Sequence, residues 1–295
     1  MSVAVRARER LSGSHLVERV AIAILFGTML IRIYLIVADW NFGDVEAYWQ
    51  AALRIRHGQQ LYVGDLSPDS YQVFRYAPWF AWLWVPLTYL SRTLVDWGWA
   101  TILGIASLSI LVSLARIGRP AAWAFALLIA PWLLSLVQVG NIQPLVVATL
   151  AYGIPRRSGP LWIGIAASLK AVPIGFALVY AARREWWRVA LSITAAIVLT
   201  APILFYDLSG YTTDPGRSAS LYYQVSPLAW AVAAAVATVV AAVLAWRRSE
   251  YVWVATALAV TLALPRSHIT YTTFLAVGLL AGSHYRISPE PDANG

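Results

Sequence analysis

Long apolar blocks without charged residues restrict most strongly how this chain can fold. Two examples run from Pro120 to Pro155 and from Val189 to Tyr206. A helix needs about 20 such residues to cross the hydrocarbon core of a bilayer, and several blocks reach that length. Their apolar character is continuous rather than alternating, which favours helices over a transmembrane barrel. We therefore expect an all-α polytopic transmembrane protein.

The composition excludes an ordinary soluble domain. Of the 295 residues, 60% are hydrophobic and 12% are charged, and this charged share is about half that of soluble domains. The net charge of +8 does not indicate nucleic-acid binding, because the arginines stand in short groups at the ends of the apolar blocks, as in cytoplasmic loops. We predict a multi-pass plasma-membrane protein whose partners include membrane lipids and no nucleic acid.

The first polar stretch is the longest, and we expect function to concentrate there. A first span from Val20 to Ala38 leads outward to residues 39–76. Within them, Asp44 to His57 has the pattern of an amphipathic helix that lies along the outer membrane surface. Its apolar face is predicted to contain Val45, Tyr48, Trp49, Ala52 and Leu53.

About eight to ten membrane segments are predicted in one domain, residues 1–287, followed by a disordered tail, residues 288–295. The positive-inside rule assigns the arginine groups to the cytoplasm. Two full crossings between Tyr76, outside, and Arg116 would leave Arg116 outside, so one of the segments Pro78 to Leu90 and Leu94 to Ala115 is predicted to be re-entrant. Leu161 to Ala182 is predicted to form two half-helices that meet near Lys170.

A set of short motifs occurs in order along the chain. The first runs from Asp44 through Tyr48 and Gly58 to Tyr62 and continues at Phe74 to Pro78. The others are Val139 to Gln143, Leu169 to Pro173, and Leu264 to His268. With this membrane context, the chain resembles the GT-C superfamily of membrane glycosyltransferases, and most closely glycosyltransferase family 87, the polyprenyl-phosphate-mannose-dependent α-mannosyltransferases.

The resemblance implies that Asp44 is the catalytic base, which activates the acceptor hydroxyl. Without the resemblance, the position of Asp44 before a predicted helix favours a role as N-cap. Glu46 would assist in substrate binding or complement the helix dipole. His268, as a second catalytic residue, and Arg266 would stabilise the departing polyprenyl phosphate. The alternative is that Arg266 reaches toward lipid headgroups while His268 caps a helix.

Seven further positions are substrate-binding candidates, each with a functional and a structural interpretation. Lys170 is the only lysine and lies inside an apolar run. It would either pair with a lipid phosphate or an acid of the outer loop, or extend to the interface. Asn141 and Gln143 would bind sugar hydroxyls or satisfy the backbone of a turn. By resemblance, Tyr48, Tyr62, Arg75 and Tyr76 would line the cavity, although an interfacial aromatic belt produces similar residues. We expect no metal and no cofactor.

These features predict transfer of a hexose, with mannose implied by the resemblance, from a polyprenyl phosphate carrier to a lipid or glycan acceptor. The reaction would invert the anomeric centre and take place on the extracytoplasmic side. A lipid-linked sugar flippase or transporter, which also needs polar groups on broken helices, is one alternative. A catalytically inactive GT-C relative is the other.

Overall fold

A computed structural model describes residues 40–63, 73–211, 220–264 and 268–287, together with scattered positions between 20 and 38. All regular elements in these parts are helical, which confirms the predicted all-α class. Most of the predicted first span and the whole predicted tail lie outside the described residues, as does Arg266. The described positions between 20 and 38 are helical.

Twelve α-helices follow residue 42 in the described chain. They are α1 Gly43–Arg56, α2 Pro78–Trp84, α3 Arg92–Arg116, α4 Pro120–Val139, α5 Gln143–Gly153, α6 Gly159–Leu169, α7 Leu178–Ala182, α8 Trp186–Thr200, α9 Leu221–Gln224, α10 Pro227–Trp246, α11 Val252–Leu262 and α12 Leu275–Ile287. Single 3₁₀ segments adjoin four of them, at Val85–Tyr89, Val172–Ala177, Ala201–Phe205 and Ile269–Phe274.

Four of the described helical segments are long and apolar enough to cross a membrane. They are Arg92–Arg116, Pro120–Val139, Trp186–Phe205 and Pro227–Trp246. Four shorter apolar segments accompany them, at Gly159–Leu169, Val172–Ala182, Val252–Leu262 and Ile269–Ser283. These positions agree with the apolar blocks of the sequence, so the chain is a polytopic membrane protein.

The helices run back and forth between two ends of a bundle. Turns that carry the exposed residues Arg116, Arg156, Arg184 and Arg247 lie at one end, called here the arginine end. The turns after α4, α6 and α11 therefore lie at the opposite end. Apolar residues such as Leu150, Ile163 and Phe176, each 0% exposed, fill the bundle between the two ends.

The segment Pro78–Tyr89 does not cross the bundle. Tyr76, just before it, accepts a hydrogen bond from Tyr48 on α1, and Arg92, just after it, pairs with Glu46 on the same helix. Both ends of the segment therefore lie beside α1. This confirms that one of the two segments before Arg116 is re-entrant, identifies it as the first, and allows Arg116 to stand at the arginine end.

The helical segment from 159 to 182 is interrupted at Lys170, as predicted. Helix α6 ends at Leu169, Lys170 is extended with φ −141° and ψ 121°, and a 3₁₀ turn begins at Val172. Pro173 lacks an N–H group and cannot continue α-helical hydrogen bonding. The break leaves Lys170 at the end of the bundle that is opposite the arginines.

Helix α1 is set into the protein rather than resting on it. Its buried residues include Ala47 and Ala51 as well as Val45, Tyr48 and Ala52, whereas the predicted contact residues Trp49 and Leu53 are partly exposed. Protein side chains from α2 and the following 3₁₀ turn pack against it. The predicted bounds were right to within a residue, but the predicted apolar face was too narrow because contacts surround more than one side of the helix.

Candidate active site

Asp44 lies in the first turn of α1 but does not cap it. The N-cap position is Phe42, with φ 50°, and no side-chain hydrogen bond caps the helix at that position. The Asp44 carboxylate instead accepts a hydrogen bond from Asn141 Nδ2, with 2.7 Å between Nδ2 and Oδ2. The predicted N-cap alternative is therefore wrong, since this side chain is directed across the bundle toward another turn.

Asn141 stands in the sharp turn between α4 and α5. Gly140 forms the turn. Its φ of +75° would strain any residue that has a side chain. Gly140 also packs against Val45. Besides its bond to Asp44, Asn141 accepts the backbone N–H of Gln143 at 2.9 Å through its Oδ1. The side chain thus fixes the start of α5 and binds the carboxylate at the same time.

Gln143 is fully buried, and its side-chain N–H donors are both used within the protein. Nε2 donates to the carbonyl oxygen of Thr270 and to Oγ1 of Thr273, both at 2.8 Å. Oε1 accepts a hydrogen bond from the Lys170 ammonium at 2.9 Å. Since no side-chain N–H remains, Gln143 is not placed to donate to a sugar hydroxyl as the sequence suggested.

Lys170 is held where the broken helix meets this network. Its Nζ atom also lies 5.0 Å from the centroid of the Tyr271 ring, a distance suited to a cation–π contact. The residue as a whole is half-buried. The ammonium thus belongs to a hydrogen-bonded cluster at this end of the bundle, and phosphate binding by Lys170 stays a prediction.

Three hydrogen-bonded tyrosines, two of them fully buried, support the site behind the carboxylate. The Tyr48 hydroxyl donates to the Tyr76 hydroxyl at 3.1 Å and accepts the backbone N–H of Ile142 at 3.2 Å. The Tyr62 hydroxyl donates to the Tyr76 carbonyl oxygen at 2.9 Å. Burial raises the pKa of all three phenols, so they are neutral at physiological pH. Tyr48 and Tyr62 are 0% exposed and support the site rather than line an open surface.

Arg75 and His268 complete the charged surroundings. Half-buried Arg75 acts as a nearby positive charge on Asp44, and its carbonyl oxygen accepts the Tyr211 hydroxyl at 3.5 Å. His268 is exposed and caps the turn Ile269–Phe274, since its Nδ1 accepts the Thr270 N–H at 3.5 Å. The predicted capping role is thus confirmed. Because Nδ1 accepts this hydrogen bond, the proton of a neutral imidazole lies on the other ring nitrogen, Nε2.

The surroundings shift the ionisation of both catalytic candidates. Burial raises the pKa of the Asp44 carboxyl, and the hydrogen bond from Asn141 with the charges of Lys170 and Arg75 offsets part of this rise. Although the residue as a whole is exposed, partial desolvation of the ring lowers the pKa of His268, and the positive charge of Lys170 lowers it further. A carboxylate with a raised pKa is a stronger base, and a neutral histidine can donate its Nε2 hydrogen.

We call this cluster the polar junction; its members are Asp44, Arg75, Tyr76, Asn141, Gln143, Lys170, His268, Thr270, Tyr271 and Thr273. Five separate parts of the chain bring it together at the end opposite the arginines. The sequence indicated most of its members but not Thr270, Tyr271 or Thr273. Their closeness to His268 along the chain was the one available signal.

Glu46 takes partners away from the polar junction. Its carboxylate pairs with Arg92 and accepts Gln50 Nε2 at 2.7 Å. Although burial alone would raise the pKa of Glu46, these hydrogen bonds and the Arg92 charge lower it. Arg92 also binds Asp96 at 2.6 Å. The geometry gives Glu46 a structural contact between α1 and α3 and does not bring it beside Asp44.

No potential metal site emerges from the described residues, where no three His, Cys, Asp or Glu side chains form a suitable group. Arg266, predicted to contact the phosphate, lies outside the described residues. Its role therefore stays a prediction.

A comparison with protein families matches residues 74–213 to the model of glycosyltransferase family 87. The matched range contains Arg75, Tyr76, Asn141, Gln143 and Lys170, while Asp44 and His268 lie outside it. No curated protein and no solved structure matches the chain. The family match confirms the resemblance found in the sequence, and it indicates a glycosyltransferase.

Proposed function

We propose that this family 87-like membrane glycosyltransferase moves a hexose, mannose by family resemblance, from a polyprenyl phosphate to a lipid or glycan acceptor. The carrying observation is a half-buried carboxylate, Asp44, beside two cationic side chains at one end of a membrane bundle. This arrangement suits a donor that joins an anionic phosphate to a sugar and a membrane-bound tail.

Asp44 would act as the general base. It accepts the proton of the acceptor hydroxyl while the hydroxyl oxygen forms a bond to the anomeric carbon. The bond between that carbon and the phosphate oxygen breaks, and its electron pair leaves with the polyprenyl phosphate. Attack opposite the leaving group inverts the anomeric centre. The raised pKa of Asp44 supports this role, since a stronger base transfers the proton more readily.

The leaving phosphate gains negative charge as the bond breaks, and cationic groups can stabilise that charge. Lys170 and Arg75 are the described cations that act electrostatically on Asp44, so both lie near the reacting groups in this proposal. His268 would donate a hydrogen bond from Nε2 to the leaving phosphate. Arg266, two residues before His268, would supply a further positive charge.

The proposed orientation puts the reaction on the extracytoplasmic side of the plasma membrane. Four exposed arginine turns support a cytoplasmic position for the arginine end, by the positive-inside rule. The polar junction would then lie at the outer interface, where the sugar of a lipid-linked donor is in reach while its tail remains in the bilayer. No cofactor or metal takes part in this proposal.

A transport function receives less support from the described interior. A transporter needs a polar path that can open to both faces. In the described bundle, apolar residues such as Leu150, Ile163 and Phe176 occupy the space below the polar junction. The polar groups therefore gather at one end, as an interfacial enzyme requires.

The test is transfer of radiolabelled mannose from synthetic polyprenyl phosphate mannose to membrane lipid acceptors by purified wild type and Asp44→Asn. Loss of a general base lowers the rate by about 10²- to 10⁴-fold. Asp96→Asn is a matched control, because Asp96 is also a half-buried acid but binds Arg92. Unchanged transfer by Asp44→Asn would refute the base assignment, and no transfer by folded wild type would refute the proposed donor.

A further inference from the structure

One side chain connects three parts of the polar junction. Gln143, 0% exposed, accepts from Lys170 through Oε1 and donates to Thr270 and Thr273 through Nε2. Its backbone N–H donates to Asn141, which in turn binds Asp44. Hydrogen bonds therefore run without a gap from the Asp44 carboxylate, through this glutamine, to the Lys170 ammonium.

The geometry points to Gln143 as a positioning residue that fixes the Lys170 ammonium and the turn beginning at His268 in one arrangement. The inference rests on the proposed function for the ligand that Lys170 then meets, a lipid-linked phosphate. Gln143 itself touches no substrate in this assignment, since its side-chain donors are used within the protein.

A flexible lysine needs such a partner to hold one position. Its side chain has many rotamers and loses this freedom when it is fixed. Without Gln143, the Tyr271 ring is the remaining described contact of the ammonium. A bond to a buried side chain that is itself anchored by Thr270 and Thr273 restricts the ammonium much more strongly.

The amide has an advantage over a carboxylate at this position. A glutamate would also accept a hydrogen bond from Lys170, but its negative charge would neutralise the ammonium. The neutral amide orients the cation and leaves its full charge available to a phosphate. Glutamine thus provides orientation without competing for the ligand.

The composition offers a direct way to observe Lys170. Because it is the only lysine in the chain, protein labelled with ¹³C,¹⁵N-lysine gives NMR signals from this residue alone. We would compare the full chain, in lipid nanodiscs, as wild type, Gln143→Met, Gln143→Glu and Thr256→Val. Thr256 is a matched control, since it is also 0% exposed and its hydroxyl bonds within its own helix.

The expected result is a distinct Lys170 side-chain signal in wild type and Thr256→Val. In Gln143→Met the signal should move to the position of lysine in an unstructured peptide. In Gln143→Glu it should also stay distinct, because the charged carboxylate accepts more strongly from the ammonium. This offsets the lost donation to the Thr270 carbonyl oxygen. An unchanged Lys170 signal in Gln143→Met, with the protein folded, would overturn the inference.

Polyprenyl phosphate then provides the functional readout, with inorganic phosphate and phosphatidylglycerol as competing anion sources. Polyprenyl phosphate should shift the Lys170 signal of wild type and fail to shift that of Gln143→Glu.

In the transfer assay, Gln143→Met should lower kcat/KM for the donor about tenfold, as expected for loss of one hydrogen bond to a charged group. The same change should have a smaller effect in Lys170→Met than in wild type, because only the contact with the turn beginning at His268 then remains to be lost.

These measurements separate the two hypotheses. If the Lys170 signal depends on Gln143 but folded wild type neither responds to polyprenyl phosphate nor transfers mannose, the positioning role stands and the proposed function fails. If wild type transfers mannose but the effects of Gln143→Met and Lys170→Met simply multiply, the proposed function stands and the positioning role is wrong.

Discussion

The two ends of the bundle both carry positive charge, but in different surroundings. At the arginine end, Arg116, Arg156 and Arg247 are exposed on short turns. At the polar junction, half-buried Lys170 is bound to a buried amide, and Asp44 is bound to a second amide from the same turn. Exposed charges can set the orientation in the membrane, whereas charges held by hydrogen bonds between elements are suited to chemistry.

The largest expected difference between the two ends concerns their cations. Lys170→Met should lower kcat/KM for the polyprenyl-linked donor by about 10²-fold, since it removes a positive charge proposed to stabilise the leaving phosphate. Arg156→Met at the arginine end should leave it nearly unchanged. The measurement is donor turnover by purified proteins in lipid. Equal losses in both variants would show that general surface charge, rather than the polar junction, controls the rate.

Two glycines give a second comparison with matched backbones. Gly140 and Gly118 have φ values of +75° and +70°, but a Cβ at Gly140 would lie 2.1 Å from Val45 Cγ2, whereas one at Gly118 would meet nothing within 4 Å. Alanine at either site carries a backbone cost of about 1–2 kcal/mol. At Gly140 overpacking adds about 1–3 kcal/mol.

Gly140→Ala should therefore lower the unfolding temperature more than Gly118→Ala, as measured by thermal unfolding in the same detergent. It should also reduce transfer, because the crowded contact lies one residue from Asp44. Similar unfolding temperatures for the two variants would mean that α1 can move away from the turn without cost, and that the polar junction is less tightly packed than described.

The sequence predicted the local breaks of the polar junction better than its connections. The glycine and asparagine at 140 and 141, and the proline after Lys170, indicate turns through local chemistry alone. The bonds from Gln143 to Lys170 and Thr273 span 27 and 130 positions. They depend on how helices pack, and a buried glutamine looks the same in sequence as one on a hairpin tip.

The same limit applies to Asp44 and Glu46. Both are acids in the first turn of α1, and both were candidates for the site. A separation of two residues turns them about 200° apart on a helix, so they face different neighbours. Only the placement of Asn141 and Arg92 distinguishes a carboxylate in the polar junction from one that links α1 to α3.

The smallest expected effect is on stability and depends on pH. Because burial raises the pKa of Asp44, the folded protein disfavours the charged carboxylate relative to the unfolded chain. At a pH above the raised pKa, wild type bears this full cost, and Asp44→Asn should unfold at a slightly higher temperature. As pH falls through the raised pKa toward the ordinary value for aspartate, the folded state takes up its proton first and wild type regains stability. The difference in unfolding temperature should therefore shrink as pH falls through that range. A variant less stable than wild type at neutral pH, with the deficit shrinking on acidification, would mean that Lys170, Arg75 and Asn141 outweigh burial and stabilise the charged form.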